Sequence, residues 1–102
     1  PAFVHVQMRP QFPEDLTHVE ASHCSPMGWI LSRWDREGAT TRWEVSLPPG
    51  VTADAYLPAR QIGSVKESGV PLADSRGISI QGQAEGRLHV RLQSGSYQFE
   101  IR

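Results

Sequence analysis

Eleven carboxylates, four histidines and one cysteine are the groups in this 102-residue chain whose types suit chemistry. A carboxylate pair working as general acid and base needs proximity and a raised pKa on the acid, and linear spacing supplies neither. Glu14-Asp15 sits beside prolines, Asp35 and Glu37 flank a turn, and Glu44 and Glu100 fall on the polar faces of extended segments. All read as solvated or ion-paired, so no catalytic carboxylate is nominated. His18 and His23 stand five residues apart with Glu20 between them. Five steps along a strand end on opposite faces, so no transition-metal site is expected there. His5 and His89 are expected to face away from the apolar stripes beside them. Cys24 follows His23 directly, and adjacent strand residues diverge, so a nucleophile–base pair is not expected. The thiol reads as a small buried side chain. The glycines lack the spacing and following basic residue of a phosphate-cradling loop, and no cofactor is expected.

Three tryptophans suggest a different chemistry, because sugars are often held with their axial C–H groups on an aromatic face and their hydroxyls on polar side chains. Alternation assigns Trp34 and Trp43 to the interior and leaves Trp29, just after a Pro-Met-Gly loop, at an edge where it can contact a ligand or another domain. Arg33, Arg36 and Arg42 lie near it; a partner carboxylate or local pairing with Asp35, Glu37 or Glu44 explains them equally well.

These groups must be positioned by one small domain. The chain has the length for a single core, and 10 Lys+Arg against 11 Asp+Glu give a net charge of −1, which argues against a module that works by neutralising phosphates. Neither half departs far from neutrality: residues 1–51 carry 4 basic and 6 acidic groups, residues 52–102 carry 6 and 5. A single cysteine rules out an intrachain disulfide and a cysteine-rich zinc site and leaves the compartment open. No apolar run approaches the roughly 20 residues of a membrane helix, and no signal-peptide succession is present. Neither nucleic acid nor membrane is therefore expected as a partner. The opening Pro1-Ala2-Phe3 is read as that of a domain, spanning residues 1–102, excised from a longer protein, although a short protein after processing would open the same way.

Alternation is the dominant pattern. Val4, Val6 and Met8 oppose His5 and Gln7, and Pro10 and Pro13 predict a bend after them. Thr17 to Cys24 reads as a weaker strand, Ser25-Pro26-Met27-Gly28 as a loop, and Trp29 to Trp34 as extended. Trp43, Val45 and Leu47 alternate with Arg42, Glu44 and Ser46, predicting a hairpin across Arg36-Glu37-Gly38-Ala39. Pro48-Pro49-Gly50 stops that strand; Val51, Ala53, Ala55 and Leu57 share the next face, ended by Pro58. Short strands are predicted around Ile62 to Lys66, with Glu67-Ser68-Gly69-Val70-Pro71 as a connection. Ile78 and Ile80 precede a polar turn over Gly82-Gln83-Ala84-Glu85-Gly86. Leu88, Val90 and Leu92, then Tyr97, Phe99 and Ile101 beyond a Ser94-Gly95 turn, complete the pattern. About eight short strands and no helix predict an all-β fold, an antiparallel β-sandwich, with Trp34, Trp43, Val45, Leu88, Val90, Tyr97, Phe99 and Ile101 in its core.

The ordered segments also resemble a known family. Phe3-Val4-His5-Val6 through Arg9-Pro10, Leu16-Thr17, Ala21-Ser22, Ser25-Pro26-Met27-Gly28-Trp29-Ile30, Trp34, Trp43-Glu44-Val45 and Leu47-Pro48-Pro49-Gly50 carry the likeness through the first half. Thr52-Ala53, Tyr56-Leu57-Pro58, Val65-Lys66-Glu67-Ser68-Gly69 and Ser94-Gly95-Ser96-Tyr97-Gln98-Phe99 carry it onward. Together they resemble the C-terminal β-sandwich domain of bacterial α-L-rhamnosidases in glycoside hydrolase family seventy-eight. In that family the domain packs beside a preceding α/α-barrel in the same chain, and the barrel holds the carboxylates of inverting hydrolysis. The resemblance implies a non-catalytic accessory domain, no enzyme by itself, whose parent acts on a rhamnose-containing glycoside. It also implies that the loop from Ser25 to Trp29 approaches the sugar cleft. Similar loops carry a histidine where this chain has Met27, which cannot donate the imidazole hydrogen bond; His23 is near in sequence but does not match the motif. His23, Met27 and Trp29 are accordingly the expected sugar or domain contacts, with no metal or cofactor among the site residues. The alternative reading is a carbohydrate-binding module centred on Trp29; an independent hydrolase comes third.

Overall fold

A computed structural model describes residues 4–10, 17–58, 64–84 and 86–102. Ten strands follow in order: β1 (Val4–Met8), β2 (His18–Ser25), β3 (Gly28–Glu37), β4 (Thr40–Leu47), β5 (Val51–Leu57), β6 (Val65–Glu67), β7 (Val70–Pro71), β8 (Ile78–Ala84), β9 (Arg87–Leu92) and β10 (Gly95–Ile101). One 3₁₀ turn, Leu72–Asp74, leads into β8. They form a four-stranded sheet in the order β1-β5-β9-β8 and a six-stranded sheet in the order β2-β3-β4-β10-β6-β7. A β-sandwich is thus the fold, as the alternating pattern predicts.

The period of two explains the layering. Val51, Ala53, Ala55 and Leu57 of β5 and Leu88, Val90 and Leu92 of β9 point inward from the smaller sheet. Trp43, Val45 and Leu47 of β4, Tyr97, Phe99 and Ile101 of β10, and Ile30 and Trp34 of β3 meet them from the larger one. All belong to one apolar cluster, with Val4, Val6, Met8 and Val19 packed at its margin. Trp43 and Phe99 are cross-strand partners whose rings stack at 5.5 Å. The Trp43 indole N–H, which would be costly to bury alone, donates to Ser32 Oγ at 2.8 Å. Tyr97 does the same for its hydroxyl, donating to Gln93 O at 2.7 Å, and so ties β10 to the chain leaving β9. Gly77 passes so close to that hydroxyl that a β-carbon there would lie 2.5 Å from it.

Several expectations change. Among the described residues the strands number ten rather than about eight. The Glu67-Ser68-Gly69-Val70-Pro71 connection is itself a hairpin, β6–β7, because Ser68 and Gly69 both take positive φ, 51° and 83°, the conformation a two-residue hairpin turn requires. Gly82-Gln83-Ala84 is not a turn but the end of β8, carried past a register shift between Ile80 and Gly82. The pairing is not wholly antiparallel: β1 runs parallel to β5, Val4 opposite Val51. Pro13, Glu14, Asp15 and Ile62 lie outside the described residues.

Removing the ring of Phe99 should cost about 3–5 kcal/mol, whereas Leu31→Ala on the outer face should change stability by no more than about 0.5 kcal/mol. Urea unfolding of the two variants against the parent chain measures the contrast.

Candidate functional site

The β2–β3 hairpin ends in the turn Pro26–Met27, held from inside by Ser25. This buried serine donates its hydroxyl to Gly28 O at 2.6 Å and accepts the Met27 N–H at 3.2 Å. Gly28 has φ +132°, and a β-carbon there would stand 3.3 Å from Pro48 Cβ, so the turn rests closely on the β4–β5 connection. The candidate contacts sit at this hairpin end but diverge. Cross-strand partners share a face: His23 pairs with inward-pointing Ile30, and Cys24 with Trp29. His23 therefore lies on the inner side of β2, Trp29 on the outer side of β3, and Met27 at the tip. Trp29 is 60% exposed and Met27 38%. Cys24 was expected to be buried and is exposed instead, because the alternation of β2 sends Val19 and Ser25 inward and turns the thiol outward beside Trp29.

Beyond Trp29 the outer face of the six-stranded sheet is built in rows. Ser22, Leu31, Ser46 and Ser96 are register partners across β2, β3, β4 and β10, and Glu20, Arg33, Glu44 and Gln98 form the next row. Arg33 is ion-paired with Glu44 and lies 3.5 Å from Glu20. Arg42 reaches Glu37 at 2.9 Å and Glu100 at 3.7 Å. The adjoining Glu44 carboxylate raises the already high pKa of the Arg33 guanidinium. The carboxylates at Glu37, Glu44 and Glu100 are thus ion-paired, as expected. A groove of about 560 Å³ crosses these rows, lined by Glu20, Ser22, Leu31, Arg33, Glu44 and Ser46 among others.

The opposite outer face, on the four-stranded sheet, holds a cluster the sequence reading missed. Asp54, in the centre of β5 and only 6% exposed, accepts from His5 Nε2 at 2.6 Å, His89 Nε2 at 3.0 Å and Arg91 Nε at 3.1 Å. The hydrogen bond from His5 holds its carboxyl far below the usual range; burial opposes this, and His89 and Arg91 reinforce it. Tyr56 stacks on His89 at 4.4 Å and lies under the Arg9 guanidinium at 4.2 Å. Arg87 donates to Tyr56 O at 2.7 Å and Pro10 O at 3.1 Å, closing the cluster over the chain that leaves β1. The inward alternation of Val51, Ala53, Ala55 and Leu57 was the available signal, since it assigns Thr52, Asp54 and Tyr56 to one polar face. Among the described residues Glu67 is the other buried carboxylate. Burial pushes it up, but donors from Ser68, Ser75 and the Gln98 N–H outweigh that and leave it lowered.

Chemically, both buried carboxylates are fixed as anions with full sets of donors. A glycosidic general acid needs the reverse, a carboxyl that keeps its proton near neutrality. Among the described residues no three His, Cys, Asp or Glu side chains are grouped to hold a metal ion. His18 lies on the outer side of β2, 3.5 Å from Glu20, opposite in direction to His23.

The fold and its faces define a two-layered β-sandwich domain. The family model described as bacterial alpha-L-rhamnosidase C-terminal domain matches residues 1–71, and this chain belongs to that family. A curated alpha-L-rhamnosidase of Formosa agariphila is 24% identical over 87 residues, covering 85% of this chain and 9% of that protein. The crystal structure of Streptomyces avermitilis alpha-L-rhamnosidase complexed with L-rhamnose superimposes at TM-score 0.79 and 22% identity, over 96% of this chain and 9% of that one. The alpha-L-rhamnosidase from Dictyoglumus thermophilum gives 0.76 and 20%, over 94% and 11%. The chain thus spans about a tenth of the length of the relatives it matches.

Two measurements follow from this geometry. Asp54→Asn should destabilise the domain by about 1–3 kcal/mol at neutral pH. Because the folded state holds Asp54 below its unfolded pKa, the unfolded chain takes up the proton first as acid is added; the stabilisation is complete above the ordinary carboxylate range and is lost as pH falls through the folded value. The gap between parent and variant in urea titrations should therefore narrow below a pH of about 4. Cys24 should react with one equivalent of a thiol reagent in the folded chain at a rate close to that in urea.

Proposed function

We propose that this sandwich is a non-catalytic accessory domain of an α-L-rhamnosidase, supporting an α/α-barrel that precedes it in the same polypeptide and holds the carboxylates of an inverting hydrolysis. The observation that carries the reading is the superposition of nearly the whole domain, 96% of it, on a segment amounting to 9% of a rhamnosidase chain. Its buried carboxylates agree, since Asp54 and Glu67 are committed to structural hydrogen bonds and held as anions.

The six-stranded sheet overhangs the four-stranded one at β2. There Ala21 and His23 point inward yet stay exposed, and among the described residues no strand pairs with the outer edge of this eight-residue strand. Such an edge invites coverage. In this reading the barrel covers it, His23 and Met27 contact the barrel, and the Ser25–Trp29 turn finishes one wall of its sugar cleft. The substrate of the whole protein is then a rhamnose-containing glycoside.

Deleting this segment from the parent protein should lower the melting temperature of the remainder, and the purified segment should not hydrolyse an aryl α-L-rhamnoside. Robust turnover by the purified segment, or an unchanged melting temperature and activity after deletion, would contradict the proposal.

A further inference from the structure

The lining of the groove on the outer face of the six-stranded sheet has a chemistry of its own. Ser22, Leu31, Ser46 and Ser96 cross it as one row, so an exposed apolar side chain stands among hydroxyls. Ser46 and Ser96 share a hydrogen bond, their Oγ atoms 3.0 Å apart, and both line the groove. The next row is charged but locally compensated, with Arg33 between Glu20 and Glu44. Leu31 is 50% exposed, and Trp29, on the same face of β3 and two residues away, is 60% exposed. Two steps along a strand cover roughly 6.5–7 Å, about the reach of one pyranose ring and its substituents.

An anion would meet the two glutamates, and a purely apolar segment would strip water from the ion pairs beside Leu31 at a cost nothing repays. A polyol with one C–H or methyl face satisfies both kinds of surface: its hydroxyls exchange hydrogen bonds with serines, guanidinium and carboxylates, and its apolar side covers Leu31 and Trp29. We propose that this groove is a binding site for a neutral saccharide with an apolar face, a deoxyhexose unit above all, its methyl group on Leu31 and the adjoining residue of the glycan against Trp29. The choice of a deoxyhexose rests on the accessory-domain reading; the choice of a neutral saccharide rests on the groove alone.

The test is a titration of the ¹⁵N-labelled chain with methyl α-L-rhamnopyranoside, a rhamnose-containing oligosaccharide and cellotetraose, followed through the amides and the Trp29 indole. The expected result is saturable shifts confined to β2, β3, β4 and β10 with the two rhamnosides, tighter for the oligosaccharide and weak with cellotetraose. Ser46→Tyr, which fills the groove, should weaken binding at least about tenfold, and Trp29→Ala should weaken the oligosaccharide more than the monosaccharide. Both positions are outside the core, and an unchanged amide spectrum elsewhere verifies the fold. No saturation with any sugar, shifts on another surface, or binding undiminished by Ser46→Tyr overturns the site, and equal binding of cellotetraose overturns the deoxyhexose assignment. Failure here leaves the supporting role intact, because deletion in the parent reads that role through melting temperature and not through sugar.

Discussion

Trp43 and Phe99, stacked at 5.5 Å between neighbouring strands of the larger sheet, are the constraint from which both outer faces follow. With their rings turned inward, strand alternation leaves Arg42, Glu44, Gln98 and Glu100 no direction but outward, and the register that pairs Phe99 with Trp43 also sets Gln98 opposite Glu44. A slip of one residue would invert every side chain and put the ion pairs into the core. Burial of a few large rings thereby fixes where the polar chemistry is displayed.

The two outer faces use charge differently. On the larger sheet the ion pairs are exposed and each contributes little to stability, so their consequence is the near-neutral polar lining of a groove. On the smaller sheet three donors converge on one buried carboxylate, and the donors come from β1 and β9, on either side of β5. Asp54 thus clamps the parallel strand β1 to the centre of its sheet, a role that backbone pairing along one edge serves only in part. One face is stable because its charges are locked, and the other is available because its charges are merely balanced.

Most of the core was legible because it is written with a period of two: Trp43, Val45 and Leu47 on β4, Leu88, Val90 and Leu92 on β9, Tyr97, Phe99 and Ile101 on β10. What depends on pairing was not legible. His5, His89 and Arg91 lie 49, 35 and 37 residues from Asp54, and only the strand order β1-β5-β9 brings them together. The parallel placement of β1 was hidden for the same reason. Cys24 was misread because β2 carries a single large apolar side chain, Val19, and so gives almost no alternation to say which way the thiol points. The turn before Trp29 made its exposure legible, though β3 is an inner strand and not an edge, but the hydroxyl row beyond it draws Ser46 and Ser96 from strands 17 and 67 residues further on and could not be foreseen.

Amide hydrogen exchange, compared between the isolated chain and the same residues within the intact parent protein, tests the central claim most directly. The account predicts equal, slow exchange of β4, β5, β9 and β10 in both, because the interior is complete without a neighbour, and added protection in the parent along β2 and the Pro26–Met27 turn. Identical exchange of β2 and that turn in the two contexts would mean that nothing docks there, and a supporting role for this domain would be contradicted.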